Sequence, residues 1–365
     1  MTAPAGADKG SMGSGSVERM RVGVVPLHRF AGQLFECVGM PADDADTMAR
    51  CLVGAHLRGV DTHGVSCIPN YVLNLEEGRV RARPNIAIER RSPWALAVDG
   101  GNGMGHVVAT RAMRAAIETC ATVGIAVATV RHSTHLGAAG LYPLMAADRG
   151  YLGVAMVNAS STVAPWGSRR KLFGTNPIAV AAPAGRHPPF VLDLATSAAA
   201  RRKIRLALEL GQPIPDGWAL DADGNPTTDP AKALAGATLP MAGAKGSGLA
   251  MLVEVLAGVL SGAGFAGGVG DLYSNHERPV DSGNFLLALD VAAFMPLAEF
   301  SARMETLIER VHSLDPAPGI EAVRVPGERA ARLEAKRRRD GIPLTAATVA
   351  ELRTLGDRLG VPFPG

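Results

Sequence analysis

The feature that most constrains the fold is an alternation of helical and strand patterns in the middle of the chain. Apolar residues at helical spacing alternate there with short apolar runs that have the length of buried strands. These segments are 106–122, 125–130, 138–148, 152–157, 178–182 and 190–194. Their order predicts an α/β lobe, which we assign to residues 86–310. Only 4% of the residues are aromatic, so we expect a core of small side chains in close contact.

The two ends of the chain carry helical patterns without strands. The segments with such patterns are 25–38, 41–57, 70–80, 329–340 and 346–359. They predict one helical lobe, formed by residues 21–85 and 311–365, after a flexible tail over residues 1–20. Residues 249–260 are apolar on every side, which predicts a helix buried in the core.

Charge and cysteine content limit the classes of function. The chain has 37 lysines and arginines against 34 acidic residues, and these charges are scattered. Neither nucleic acid nor a membrane is therefore an expected partner. The four cysteines show no paired spacing, which predicts buried free thiols in a reducing compartment. Because the N-terminal stretch also lacks the apolar core of a signal peptide, we expect a cytoplasmic protein that acts on a small molecule.

The first candidate site is Thr62-His63-Gly64, which follows a predicted helix. A neutral imidazole can accept or donate a proton near pH 7, as the reduction of a carbonyl or imine requires. We therefore interpret His63 as the proton donor and acceptor of a redox enzyme, and Gly64 as a residue that lets substrate approach. On residue types alone, a histidine that is bonded to backbone at a helix end is the alternative.

The second candidate site is the stretch from Arg131 to Gly140, which follows a predicted strand and opens a predicted helix. Small residues at this place suit a site where backbone N–H groups bind an anion. His132 and His135 have a spacing that metal ligands use, but no acidic or cysteine ligands cluster nearby, so we assign no metal. Lys245, in a glycine-rich turn, could reach a cofactor phosphate or ribose, and a solvated turn is the alternative.

One pattern is set aside. Residues 262–267 match G-x-G-x-x-G, the phosphate-binding turn of Rossmann folds, but they follow a helical pattern rather than a strand. The chain has 43 glycines, so a chance match is easy. A nicotinamide cofactor would have to bind in another way.

Taken together, the chain resembles the malate/L-lactate dehydrogenase family of the non-Rossmann type. That family also includes ureidoglycolate dehydrogenase, sulfolactate dehydrogenase, diketogulonate reductase and piperideine-2-carboxylate reductase. The resemblance runs from about Val25 to Val361. The motifs that carry it are Leu57-Arg58-Gly59-Val60-Asp61-Thr62-His63-Gly64-Val65, His135-Leu136-Gly137-Ala138-Ala139-Gly140, Gly174-Thr175-Asn176-Pro177, Asp193-Leu194-Ala195-Thr196-Ser197, Pro215-Asp216-Gly217-Trp218, Lys245-Gly246 and Pro326-Gly327-Glu328.

The resemblance implies a helical lobe formed by both chain ends, a mixed-sheet lobe that binds NAD or NADP, and a homodimer that completes the site. It implies that His63 gives the proton to the substrate and that Thr62 orients it. His135 would line the nicotinamide pocket or act as the acid/base itself. We assign Cys67 and Tyr71 to substrate binding. The residues assigned to cofactor binding are His135, Gly137, Ala138, Asn158, Asp193, Thr196, Ser197, Lys245, Gly327 and Glu328.

The main departure from the family pattern is Cys67, which stands where the family has an arginine that clamps the substrate carboxylate. Either another cation serves here, or the substrate has no carboxylate at that place. Loss of a buried charged partner costs on the order of 2–5 kcal/mol, so we expect weak activity on pyruvate and oxaloacetate. A second departure is Arg202, which stands at a family glycine.

These features predict an NAD(P)-dependent dehydrogenase or reductase that exchanges hydride with a ketone or secondary alcohol. A cyclic-imine reductase of the same fold is one alternative. A cofactor-binding protein that has lost catalysis is another, although the intact His63, His135, Asp193 and Lys245 argue against it. A redox role for Cys67 beside His63 is one interpretation, because a nearby imidazolium lowers a thiol pKa, and a plain apolar or polar pocket wall is the preferred one.

Overall fold

The structure, a computed structural model, describes residues 19–273 and 278–365. Its helices are α1 (Val24–Cys37), α2 (Ala42–Leu57), α3 (Ile68–Glu76), α4 (Gly105–Val123), α5 (Leu141–Ala147), α6 (Arg201–Glu209), α7 (Pro230–Ala235), α8 (Ala244–Val253), α9 (Leu297–His312), α10 (Glu328–Asp340) and α11 (Ala346–Leu359). Its strands are β1 (Arg19–Val22), β2 (Ala87–Arg90), β3 (Ala95–Asp99), β4 (Ile125–Ser133), β5 (Tyr151–Val157), β6 (Ile178–Ala182), β7 (Phe190–Leu194), β8 (Ala219–Leu220), β9 (Pro226–Thr227), β10 (Ala237–Thr238), β11 (Ser282–Asp290) and β12 (Ile342–Thr345).

A seven-stranded mixed sheet forms the centre of the α/β part. Its strand order is β2-β3-β4-β11-β5-β6-β7, in which β3 and β4 are parallel and the other neighbours antiparallel. Strand β11 comes late in the chain but lies between β4 and β5, so that Leu286 stands opposite both Ala128 and Ala155. The predicted α/β architecture with a mixed sheet is confirmed, although no sequence prediction was made for β11.

Small residues let the helices approach the sheet closely. Ala109, Ala112 and Ala116 on α4 are fully buried. A Cβ atom on Gly153 of β5 would lie 2.5 Å from the carbonyl oxygen of Pro143 in α5, so no larger residue fits without moving backbone. The expected core of small side chains in close contact is therefore observed.

A second apolar cluster unites the two ends of the chain. Leu34 of α1, Leu52 of α2 and Leu352 of α11 are fully buried in it, and each such burial contributes about 1.5–3 kcal/mol. Strand β1 pairs antiparallel with β12, and Arg19 lies opposite Thr345. The predicted helical lobe formed by both chain ends is thus confirmed.

The apolar segment 249–260 differs from its prediction. It forms the second half of α8 and a π-helical continuation, Glu254–Val259, which packs against β4, β5 and β11 on one side. On another side Met251, Val255 and Val259 are 60%, 46% and 54% exposed. The prediction of a buried core helix is therefore wrong for the single chain, because the sheet covers only part of the helix surface.

Two further predictions need correction. Residues 1–18 of the predicted tail lie outside the described residues, but Arg19 and Met20 belong to β1. Three of the four free thiols are buried as predicted, whereas Cys37 is exposed. The domain boundaries near residues 85 and 310 remain a prediction, and Met104 from the central range packs in the cluster of chain ends.

Three further findings concern the glycine-rich segment 262–267, membrane-spanning helices and groups of metal ligands. Residues 262–267 follow the π-helical stretch and precede β11, so they do not form a strand-to-helix turn. Across residues 19–273 and 278–365, no helix is both long enough and apolar enough to cross a membrane. In the same ranges, no three histidine, cysteine or acidic side chains are grouped to hold a metal.

Candidate active site

His63 lies on a short turn directly after α2. Gly59 turns the chain with a φ of 80°, and two consecutive 3-10 turns, Asp61–His63 and Val65–Cys67, lead into α3. The His63 N–H donates to the carbonyl oxygen of Val60 at 2.9 Å. A 3-10 turn of three residues has few hydrogen bonds of its own, so the position of His63 depends on contacts from other elements.

One such contact comes from His56, in the last turn of α2. Its ring is buried, and its Nδ1 accepts the N–H of Val65 at 3.0 Å. A Cβ atom on Gly64 would lie 1.7 Å from this nitrogen, so the glycine makes room for His56. Gly64 was predicted to let substrate approach, whereas the structure shows that its lack of a side chain makes room for the His56 ring. Burial lowers the pKa of His56 to about 4, which keeps the ring neutral and able to accept.

Thr62 and Cys67 complete the turn around His63. The Thr62 hydroxyl lies 2.8 Å from Nδ1 of His63, within hydrogen-bond distance. The Cys67 thiol donates to the Thr62 carbonyl oxygen at 3.2 Å. The predicted pair Thr62 and His63 is therefore in contact, and Cys67 supports its backbone.

His135 faces His63 from the loop that follows β4. The two rings are 5.4 Å apart between centroids and nearly parallel, with an angle of 27°. The hydroxyl of Tyr71, on α3, lies 2.7 Å from Nδ1 of His135. The three residues predicted from two distant stretches, His63, Tyr71 and His135, thus form one site.

Burial keeps this site electrically neutral. It lowers the pKa of His63, and the positive charge of Arg202 lowers that pKa further. Burial also lowers the pKa of His135 well below its usual value, with smaller contributions from His63 and His106. The hydroxyl of Tyr71 has a pKa raised well above its usual value, again mainly by burial. Near pH 7 both imidazoles are therefore neutral and Tyr71 is protonated.

His106, in the first turn of α4, lies in the same group of side chains as Tyr71 and His135. It was not predicted from the sequence. Its ring is 5.3 Å from that of Tyr71 and 6.3 Å from that of His135. A Cβ atom on Gly137 would lie 2.4 Å from its Nε2. The ring is fully buried, which lowers its pKa to about 3. A single histidine within a helical pattern carries no signal that distinguishes it from a core residue.

Cys67 is also part of this buried environment. Burial raises the pKa of its thiol, and neighbouring Tyr71 and Tyr273 hydroxyls lower it only partly. The thiol is therefore protonated near pH 7, which agrees with a neutral pocket wall and disfavours a reactive thiolate. Tyr273 was not identified from sequence.

Asp193 joins the edge strand β7 to the loop of His135. Its Oδ2 accepts the N–H of Gly140 at 2.8 Å. Burial raises the pKa of Asp193, although this hydrogen bond and the charge of Arg58 lower it. Gly137 and Ala138 are buried in the same loop, and Gly137 has a φ of 74°. Gly137, Ala138 and Asp193, three of the residues assigned to cofactor binding, therefore meet at this end of β7.

The segment beyond β7 lies beside the start of α8. The carbonyl oxygen of Thr196 accepts the N–H of Met241 at 2.8 Å, three residues before α8 begins. The hydroxyls of Thr196 and Ser197 are buried and donate to nearby backbone carbonyl oxygens. Lys245, in the first turn of α8, is exposed. Thr196, Ser197 and Lys245 therefore lie on neighbouring segments. Of these three, only Lys245 has a side chain that forms no hydrogen bond or ion pair with another described residue.

The Gly327 turn lies at the other end of β7, where the N–H of Val191 donates to the carbonyl oxygen of Pro326 at 3.1 Å. Glu328 is paired with His312 at 2.6 Å and caps the turn through the N–H of Val325. The carboxylate of Glu328 is therefore already engaged within the chain.

Asn158 holds the end of β5 in place. Its side-chain amide donates to the carbonyl oxygen of Gly264 at 2.7 Å, and its side-chain oxygen accepts the N–H of Gly283 at 2.8 Å. The residue is fully buried. Its assignment to cofactor binding stays a prediction, and its visible role is structural.

Comparison with known proteins shows a family relationship over nearly the whole chain. The family model for malate/L-lactate dehydrogenase matches residues 24–353. The chain belongs to this family. It is 36% identical over 343 residues to a malate dehydrogenase from Pyrococcus horikoshii, covering 92% of this chain and 94% of that one. It is 33% identical over 349 residues to a Delta(1)-pyrroline-2-carboxylate reductase from Ancylobacter novellus, covering 93% and 99%.

A solved structure of the sulfolactate dehydrogenase from Methanocaldococcus jannaschii superposes with a TM-score of 0.88. It is 35% identical and covers 94% of this chain and 98% of its own. As a malate/L-lactate dehydrogenase family member, the chain is an oxidoreductase with a nicotinamide cofactor.

The residues beside β7 fit such a cofactor. Lys245 is exposed at the start of α8, and no described residue forms an ion pair with it. The Ser247 N–H donates to the Gly243 carbonyl oxygen at 3.1 Å, so the N–H groups of the first turn before it have no acceptor within the helix. An ammonium group beside open helical N–H groups suits a phosphate.

The packing of His56 on Gly64 gives a test of the turn in this dehydrogenase family member. We expect Gly64→Ala to lower the melting temperature and activity, because the added methyl group must displace the His56 ring. Gly54→Ala is the matched control, since its added Cβ would meet only Leu141 at 3.7 Å and alanine favours the helix. Equal thermal unfolding curves for the two variants would contradict this account.

Proposed function

We propose that this enzyme reduces or oxidises a small anionic substrate at a carbonyl or alcohol carbon, and that His63 moves the proton. The observation that carries the proposal is the pair of neutral rings, His63 and His135, which face each other at 5.4 Å. Each ring has Nδ1 bonded to a hydroxyl, from Thr62 and Tyr71 respectively. Within the described part of the chain, nothing is bonded to either Nε2, so both are available to substrate.

Thr62 determines which nitrogen of His63 reacts. When Nδ1–H donates to the Thr62 hydroxyl, Nε2 carries the lone pair and can accept the proton of an alcohol. In the opposite direction the protonated ring donates that proton from Nε2 while Nδ1–H stays on Thr62. The nicotinamide, when bound, supplies or accepts the hydride.

His63 is a better proton carrier than His135. The pKa of His135 is lowered more strongly, mainly by burial and further by the two imidazoles of His63 and His106 beside it. A ring that is harder to protonate is less able to pass through the charged state. We therefore assign His135, held by Tyr71, to orienting the substrate and nicotinamide.

The pH dependence of oxidation tests this assignment. The pKa of His63 is lowered, so the ring is neutral and active above that pKa and becomes protonated and inactive as pH falls through it. We expect kcat/KM for alcohol oxidation to fall only below the usual histidine pKa of about 6.5. His63→Asn should remove this limb and lower kcat by about 10²–10⁴-fold.

The measurement uses malate, lactate and sulfolactate, with NAD and NADP, over pH 5 to 9. Thr62→Ser is the control, because it keeps a hydroxyl for Nδ1 and should retain the wild-type profile. Full activity of His63→Asn, with an unchanged acid limb, would refute the assignment.

We further propose that Arg202 binds the anionic group of the substrate. The substrates in the names of the relatives, malate, sulfolactate and pyrroline-2-carboxylate, all carry an anionic group next to or near the reacting carbon. The protonated thiol of Cys67 cannot pair with it. Arg202, exposed in the first turn of α6, lowers the pKa of both His63 and Cys67, so its charge acts on the site. No described residue forms an ion pair with it.

Arg202→Gln tests the second proposal. We expect KM for the anionic substrate to rise about 10- to 100-fold, with a smaller change in kcat. This rise corresponds to the loss of one hydrogen bond to a charged group. Removal of the positive charge should also raise the pKa of His63 and move the acid limb of the pH profile upward. Lys203→Gln, at the exposed neighbouring position, should change neither. An unchanged KM in Arg202→Gln would show that another group binds the anion.

Imine reduction is the second candidate function. It is favoured by the 33% identity to a Delta(1)-pyrroline-2-carboxylate reductase across nearly the whole chain. The same His63 could protonate an imine nitrogen, and the same cation could bind the neighbouring carboxylate. Comparison of kcat/KM for cyclic imino acids and 2-oxo acids, with NADH and NADPH, separates the two candidates.

We also propose that the enzyme is a homodimer and that the exposed side of α8 and its π-helical continuation forms part of the contact. Met251, Val255 and Val259 form an apolar stripe there, and large exposed apolar surfaces usually mark interaction sites. The stripe continues from the helix that carries Lys245, so a second copy would lie close to the cofactor residues. The buried free thiols support a cytoplasmic location.

Light scattering of the purified enzyme tests the dimer. We expect Val255→Glu to shift the mass from dimer toward monomer, because a carboxylate would be buried at the contact. Leu307→Glu is the matched control, because Leu307 is 57% exposed on α9, away from this stripe, and its substitution should leave the dimer intact. A wild-type protein that stays monomeric at micromolar concentration would refute the proposal.

A further inference from the structure

The turn that carries His63 is held by α10, from the opposite end of the chain. Arg337 of α10 is 5% exposed. Its Nη1 donates to Oδ1 of Asp61 at 2.5 Å, and its Nη2 donates to Oδ2 at 3.2 Å. Nη1 also donates to the carbonyl oxygen of His56. A bidentate pair fixes both the distance and the orientation of the two groups, so Asp61 is held firmly.

Two more residues on the same face of α10 contact the chain just before this turn. A Cβ atom on Gly59 would lie 2.4 Å from a methyl carbon of Leu333, which therefore packs directly on the backbone. Glu334 accepts from Arg58 at 3.1 Å. Leu333 and Glu334 lie four and three residues before Arg337, spacings that place each of them beside Arg337 on the helix surface, so this side of α10 contacts residues 56–61.

Asp61 connects α10 to the turn that carries His63. It stands two positions before His63 in the same 3-10 turn, and its carbonyl oxygen accepts the hydroxyl of Ser66 at 3.0 Å. Because the turn has few hydrogen bonds of its own, the bidentate ion pair of Asp61 and Arg337 ties it to a second helix besides α2, from which His56 contacts it. Within the described part of the chain, no hydrogen bond joins either side chain to the imidazole of His63.

We propose that Asp61 and Arg337 are positioning residues, which hold the turn of His63 so that its ring stays opposite His135. The inference rests on the proposed role of His63 in proton transfer. Displacement of a reacting group by about 1 Å can reduce a rate by about 100-fold, so a loose turn would slow catalysis without removing any reacting group.

The test compares Arg337→Gln, Arg337→Lys and Asp61→Asn with the wild type. Arg338→Gln is the matched control, because Arg338 is the next residue on α10 and forms only an exposed pair with Glu334. Three quantities are measured: amide hydrogen exchange of the peptide 59–67, kcat and KM with the best substrate, and the melting temperature. Asp61→Asn keeps the shape and one acceptor of the side chain, so it serves if Arg337→Gln folds poorly.

We expect amide exchange in 59–67 to be about tenfold faster in Arg337→Gln and Asp61→Asn. We expect kcat to fall by about 10- to 100-fold while KM changes little. Arg337→Lys should recover only part of both effects, because an ammonium group cannot form the bidentate contact. Arg338→Gln should behave as the wild type.

Unchanged exchange in 59–67 would overturn the inference, whatever the activity. Faster exchange with wild-type kcat would also overturn it, provided that His63→Asn is slow. If His63→Asn is as fast as the wild type, the proposed function fails instead, and the exchange data still show whether the pair holds the turn.

Discussion

Removal of imidazole rings from water is the interaction on which the site depends. Four histidines, His56, His63, His106 and His135, lie within or beside the site, and burial is the largest cause of the lowered pKa of each. Neutral rings can pack against each other without charge repulsion. They can also accept hydrogen bonds, as His56 does from the Val65 N–H. The same burial keeps Tyr71 and Cys67 protonated, so the site holds acid/base groups but no fixed internal charge.

An uncharged site has consequences for a charged substrate. A positive charge that acts on both His63 and Cys67 comes from Arg202, at the start of α6. The Cys67 thiol donates a hydrogen bond to the Thr62 backbone. It offers no positive charge to an anionic substrate. In the proposed mechanism, holding the substrate and moving its proton are therefore tasks of different segments. The family accordingly includes enzymes named for hydroxy acids and for a cyclic imine.

Much of the fold was predictable because it follows from local periodicity. Strands β6 and β7 coincide with the predicted segments 178–182 and 190–194, and α10 and α11 agree with theirs within one residue. Strand β11 was missed, although Phe285 to Leu289 is an apolar run, because its place between β4 and β5 is a long-range pairing. The exposure of α8 was also missed, since an apolar pattern on every side cannot say which side the sheet will cover.

The sequence by itself determined the family, the class of reaction, and the identity of His63, Thr62 and His135 as a candidate site, because these residues lie in continuous motifs. Tyr71 also lay near the first motif. Only the tertiary structure decided that His56, His106 and Arg337 belong beside them. Their signal is spatial: Arg337 reaches Asp61 across 276 positions of the chain, and His106 meets His135 only because α4 packs close to the loop after β4. Contacts of this kind depend on how helices and strands pack against each other. Residue types and their spacing within one segment do not specify that packing.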